Sequence, residues 1–321
     1  MEIALRCYTD TKNDKKQNYE KDNYSRSLIL VLDTETTSDE YQNLKFGSCC
    51  IYRKVEKNRS ILVKIILFYN EDLMENEIKA LRDYADKHQY DLMSRNDFIE
   101  QVLFFKAYND RVPIVGFNLP FDLSRLAIHY GESIDKIREQ DNKTPLKISN
   151  EKSKAKTRKP NNGISLKLSS KPWYPNITIK TLDSKRAFIS FTTPYIKESK
   201  KKKGRKAYKG CFIDLRTFLF ALTNESYNLK RALEDFQCRP KIDVETHGNI
   251  TEEYIDYNIN DTLATYELYE KALERYSLFC LDIEPNKLFS PASIGKNILD
   301  KIRLRSFDEK NPEFPKEKKG I

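Results

Sequence analysis

The apolar positions of this chain fall into short unbroken runs and longer periodic stretches. Leu28 to Leu32 is a run of five apolar residues rich in branched side chains. Such a run reads as a strand buried on both faces and predicts a first strand over 27–33. Phe46 to Arg53 and Ile61 to Tyr69 read as two more strands, joined by the polar turn Glu56-Lys57-Asn58-Arg59, so an antiparallel meander is expected. From Glu71 to His88 the spacing of Leu73, Ile78, Leu81, Tyr84 and Ala85 is helical. Ser94-Arg95-Asn96-Asp97 has capping-box spacing ahead of an apolar helix over Phe98 to Tyr108. A short strand over Val112 to Phe117 and a helix over Phe121 to Arg138 follow.

From Glu139 to Asn176 the periodicity is lost in a segment rich in Lys, Ser, Asn and Pro, which predicts a loop or insertion. Ile177 to Phe191 alternates as a strand or hairpin. Lys200 to Lys209 then carries seven basic residues in ten. Cys211 to Leu215 predicts another strand, followed by a helix through Leu222, and Tyr227 to Phe236 and Glu252 to Tyr276 are further helices. Ser290 and Pro291 suit the N-cap and first position of a last helix. A meander followed by helices alternating with strands predicts an α/β fold: a mixed sheet flanked by helices. The expected organisation is an N-terminal arm (1–26), a main domain (27–285) with a basic insertion or hairpin (139–209), and a C-terminal helix and tail (286–321).

Charge narrows the choice of partner. The 321 residues carry a net charge of +9, which favours a polyanion, nucleic acid first. The six cysteines lie outside any C-x-x-C spacing, and the three histidines are scattered. A zinc site is therefore not expected, and the thiols read as reduced in a cytoplasmic protein. The first 25 residues lack the apolar core of a leader, and no run approaches a membrane span, so a soluble chain with no membrane partner is expected.

Three acidic groups carry the candidate chemistry. Asp33 and Glu35 end the first strand two residues apart, so their side chains leave the same face. Two such carboxylates repel and are costly to desolvate unless a cation joins them, and Mg²⁺ or Mn²⁺ takes oxygen ligands of this kind. Asp122 follows the strand Val112 to Phe117 in Asn118-Leu119-Pro120-Phe121-Asp122, where Asp also serves as a helix N-cap. Tyr257 and Asp261 lie four apart on one helix face, an arrangement that a surface helix also offers.

In this order, D-x-E, N-x-x-F-D and Y-x-x-x-D resemble the motifs of DEDD exonucleases with tyrosine in the last motif. Most similar is the 3′–5′ proofreading domain of family B DNA polymerases. Gly116-Phe117-Asn118, Phe212-Ile213-Asp214-Leu215 and Tyr227-Asn228-Leu229-Lys230 agree with that family, and the resemblance covers roughly 28 to 304. A histidine-type relative would carry His where this chain has Asp256.

The resemblance implies a ribonuclease H-like fold, two divalent cations (Mg²⁺ or Mn²⁺) on Asp33, Glu35, Asp122 and Asp261, and Tyr257 orienting the attacking water. It also implies that Thr36 and Thr37 meet the terminal nucleotide of single-stranded DNA. Asn118 and Phe121 would meet the next one, with Phe121 either stacking or packing. Lys201, Lys203 and Arg205 in the basic run, placed at a hairpin tip, would contact phosphates. RNA as substrate, and a non-catalytic nucleic-acid-binding module, are the rival readings. Leu288 to Lys296 resembles the lead-in to a polymerase palm, but D-T-D and K-x-x-x-N-S-x-Y-G are absent. A free-standing exonuclease and a piece of a longer protein in a replication, repair or defence assembly are both consistent with this.

Overall fold

The computed structural model describes residues 7–9, 27–56, 59–135, 159–183, 186–192, 208–242, 248–302 and 304–306. Strand β1 (Cys7–Thr9) is followed by the meander β2 (Leu28–Thr36), β3 (Leu44–Glu56) and β4 (Arg59–Tyr69). Helix α1 (Glu75–His88) leads to β5 (Asp91–Ser94), and the short α2 (Arg95–Asp97) continues as a wide π-helix over Phe98–Asn109. Then come β6 (Ile114–Gly116), α3 (Leu119–Arg125), β7 (His129–Asp135), β8 (Lys159–Lys167), β9 (Ile177–Thr181) and β10 (Ala187–Phe191). The last part holds β11 (Phe212–Asp214), α4 (Leu215–Thr223), α5 (Leu229–Asp235), α6 (Glu252–Ser277), a 3₁₀ turn at Pro285–Lys287, α7 (Pro291–Lys301) and β12 (Leu304–Ser306).

The central sheet has six strands in the order β11-β6-β2-β3-β4-β5. The meander β2-β3-β4 is antiparallel as expected, whereas β6 joins β2, β11 joins β6 and β5 joins β4 in parallel. The fold is thus mixed α/β. The two-residue period of β2 divides its side chains between two cores. Val31 joins Phe46, Cys50 and Leu67 under α1, α4 and α6, while Leu30 and Leu32 join Cys49, Ile66 and Phe68 under the π-helix and α3. Gly47, opposite Thr34, allows β3 to approach closely. A Cβ there would sit 2.5 Å from the carbonyl oxygen of Asp33, and nearer still to the Phe68 ring.

Helix α6 is pinned to the sheet by buried hydroxyls. Ser48 and Thr262 share a hydrogen bond of 2.6 Å, and Thr262 also donates to the Asn258 carbonyl at 3.0 Å. Ser94 caps the helix that follows it, as its spacing predicts, by accepting from the Asp97 amide. No helix among the described residues is long and apolar enough to cross a membrane.

Several expectations need correction. The helix predicted over Phe121 to Arg138 ends at Arg125, and His129–Asp135 is a strand. The reason is tertiary: Gly131 and its neighbours pair antiparallel with β8, which itself lies inside the segment expected to be a loop. Beyond the hairpin β9–β10, the insertion is therefore a second, four-stranded sheet in the order β10-β9-β8-β7. The β9–β10 hairpin is closed by the Leu182 amide donating to the Arg186 carbonyl, and the expected hairpin tip carrying the run from Lys200 lies outside the described residues. Lys201, Lys203 and Arg205 lie outside the described residues, as does the basic stretch 136–158. The N-terminal arm contributes β1, which pairs with β12, and Ile294 of α7 is buried in the main core.

Candidate functional site

The candidate site lies where β2 and β6 end side by side. Parallel neighbours in an open sheet leave a crevice at their carboxyl ends, where ligands bind in such folds. Asp33 and Glu35 share the Val31 face of β2 and turn toward α6. Thr34, between them, turns the other way toward α3.

Each carboxylate is held by a named donor. The Thr34 hydroxyl donates to Asp122 Oδ1 at 2.8 Å, and its backbone amide to the same oxygen at 3.2 Å. Asp122 is not the N-cap of α3. That position is Asn118, and Asp122 sits buried in the first turn. From α6, the Asn258 amide donates to Asp33 Oδ2 at 2.7 Å and to Glu35 Oε1 at 3.3 Å. The Tyr254 hydroxyl donates to Glu35 Oε2 at 2.7 Å. Lys241 forms an ion pair with Asp261 Oδ2 at 2.9 Å, its ammonium 4.8 Å from the centre of the Tyr257 ring. The five residues Asp33, Glu35, Asp122, Tyr257 and Asp261 thus come together from three distant segments.

The electrostatics follow from crowding like charges in a buried place. Burial pushes the Asp33 carboxyl well above its ordinary range, and the charges of Asp122, Glu35 and Asp261 push it further. Burial raises Glu35 to about 7, against the hydrogen bonds of Tyr254 and Asn258. It raises Asp122 to about 7, against those of Thr34. Asp261 is also raised by burial, with Lys241 opposing. The Tyr257 phenol is pushed up by burial to about 12. For Lys241, burial opposes the charged form, but the bonds to Tyr257 and Asp261 win and raise its pKa.

Among the described residues no three carboxylate, imidazole or thiol side chains converge as a ready-made metal cage. The donor set nevertheless suits a hard divalent cation. It is all oxygen, and its charges repel one another. Buried Asp261 Oδ1 has no hydrogen-bond partner among the described residues. The amide, phenol and ammonium donors now engage oxygens that such a cation would share.

The remaining predicted residues are placed as follows. Thr36 follows a bulge at the end of β2. The Thr37 hydroxyl is committed to its own turn, donating to Asp39 at 2.8 Å and accepting from the Asn43 amide at 2.9 Å. Asn118 Oδ1 accepts from Arg216 at 3.1 Å. Phe121 is half-buried beneath the Arg125 guanidinium, 4.6 Å from the ring centre.

Thr34, Lys241, Tyr254 and Asn258 were not among the expected site residues. The four-residue spacing of Tyr254 and Asn258 puts both on one helix face and was a usable signal. Lys241 lies in an irregular segment with no pattern to mark it. No protein-family model matches the chain, and no curated protein matches it.

Proposed function

We propose that this chain is a metal-dependent 3′–5′ exonuclease of ribonuclease H-like architecture, acting on single-stranded DNA. The observation that carries the reading is the meeting of Asp33, Glu35, Asp122 and Asp261, from three segments, in one buried cluster beside Tyr257. An antiparallel meander extended by parallel strands, with helices against both faces, supports the fold assignment. The net charge of +9 suits a polyanionic substrate.

Asp33, Glu35, Asp122 and Asp261 would hold the cations. The chemistry that a pair of divalent cations supplies there is acidification of a water molecule and neutralisation of charge on the departing 3′ oxygen. Tyr257 keeps its proton at neutral pH, since burial holds its pKa near 12. It therefore orients the attacking water by a hydrogen bond rather than removing a proton. Lys241 stays charged beside Asp261 and Tyr257 and offers its ammonium to a phosphate oxygen. Thr36, Asn118 and Phe121 line the approach of the last two nucleotides.

The test is digestion of end-labelled DNA and RNA oligonucleotides, with either end blocked, in Mg²⁺, Mn²⁺ or EDTA. Shortening from a free 3′ end is expected. EDTA, Asp33→Ala and Asp122→Ala should each abolish it without loss of fold. Full turnover by folded Asp122→Ala protein would sink the site assignment, and faster cleavage of RNA would reassign the substrate.

A further inference from the structure

We infer that Tyr254 and Asn258 are positioning residues that fix the Asp33–Glu35 carboxylate pair for a divalent cation. Tyr254 acts through its hydroxyl on Glu35, and Asn258 through its amide across both carboxylates. The inference rests on the metal-dependent reading above and deepens it.

The two residues are one helical turn apart on the face of α6 that meets β2. Both are immobilised from behind. Tyr254 is 1% exposed and meets the Phe46 ring edge-on at 5.2 Å. Asn258 is fully buried, and its backbone carbonyl accepts from the Thr262 hydroxyl at 3.0 Å, which in turn accepts from Ser48 at 2.6 Å. Ser48 stands opposite Asp33 in the β2–β3 register. The helix that carries the donors is therefore bonded through this hydroxyl pair to β3, the strand paired with the one that carries the carboxylates.

The choice of donor matters. Tyr254 and Asn258 carry no charge, so they orient Asp33 and Glu35 without neutralising them. Two lysines in their place would compete with a cation for the same oxygens. The Asn258 side chain presents its Nδ2 to the carboxylates, since its Oδ1 in that place would oppose two carboxylates. Donors behind ligating carboxylates set ligand orientation and so metal affinity.

The experiment is Mn²⁺ binding to the full chain without substrate, followed by electron paramagnetic resonance, with melting curves as a check on fold. Tyr254→Phe removes one hydroxyl, and near-isosteric Asn258→Leu removes the amide donor. Each should weaken Mn²⁺ binding about 10-fold or more, the usual effect of losing such a partner. The Mn²⁺ midpoint for cleavage should shift with it, while kcat at saturating Mn²⁺ is largely kept. Tyr266→Phe is the control. It breaks a tyrosine–carboxylate bond of 2.8 Å to Glu270 on the same helix, away from the site, and should leave Mn²⁺ affinity unchanged. Wild-type affinity in folded Tyr254→Phe protein would make Tyr254 a packing residue and overturn the assignment. A wild-type chain that takes no Mn²⁺ would overturn the metal-dependent reading, and this inference with it.

Discussion

Tyr254, Tyr257, Asn258 and Asp261 share one face of α6, with Asp261 and Tyr257 against Lys241 and with Tyr254 and Asn258 against Asp33 and Glu35. One helix face thus supplies a carboxylate and three neutral polar side chains to the same cluster. The two tyrosines should respond differently to loss of their hydroxyls. On the proposed mechanism Tyr257→Phe loses the bond that orients the attacking water and should lower kcat roughly 100-fold, the low end for a positioned catalytic group, with Mn²⁺ affinity little changed. Rapid-quench digestion across several pH values measures this, and a wild-type profile would make Tyr257 a packing residue. The carboxylates and Tyr257 were singled out in the sequence by the resemblance of their three motifs to those of the exonucleases, since spacing alone left each open to a structural role. Lys241 was not, because nothing in sequence brings an irregular segment beside a helix twenty residues later.

Among the elements, β11 and the helices it feeds show how the site is supported from outside it. Asp214 Oδ2 caps α4 through the Thr217 amide at 3.1 Å and hydroxyl at 2.6 Å, while Oδ1 accepts from the Leu119 amide at 3.1 Å. One buried carboxylate therefore joins the starts of α4 and of α3, the helix that carries Asp122. Asp214→Ala forfeits a cap and leaves a buried amide without its acceptor, a combined cost of about 2–3 kcal/mol. Urea unfolding would measure it, and Asp214→Asn, which keeps one acceptor, should recover part of the loss. The meander and α6 were readable because long apolar patterns dominate their surroundings. β5, β7 and β8 were not. His129–Asp135 extends a helix-like stretch, Lys159–Lys167 is polar, and both become strands only because a partner strand lies alongside.

For the whole molecule, the buried acid cluster ties stability to pH and, on the proposed function, to cations. Glu35 rises from 4.5 to about 7 and Asp122 from 3.8 to about 7 on folding. Between about pH 4 and 7 the folded chain therefore binds more protons at these sites than the unfolded chain. Their contribution to stability is present below that window and is lost as pH rises through it. Without divalent cations the cluster is least favourable above pH 7. There, Mg²⁺ at about 100 times its Kd should raise the melting temperature by roughly 5 °C. At pH 5 the gain should be much smaller, because protons already occupy the oxygens. Calorimetry at pH 5 and 8, with and without Mg²⁺, checks the sign; an equal gain at both would place the cation elsewhere.

The long reach of the contacts that assemble the site has a consequence for how the chain acquires activity. Thr34 and Asp122 are 88 residues apart, and Asn258 and Asp33 are 225 apart. Closing loops of that length is entropically costly and slow. If the proposed function holds, a nascent chain on the ribosome carries Asp33, Glu35 and Asp122 long before α6 has been made, and should stay inert towards the nucleic acid around it until then. After dilution from denaturant, ellipticity should return before cleavage does, with activity tracking the docking of α6. Simultaneous recovery of both signals would show instead that the helix docks with the first collapse.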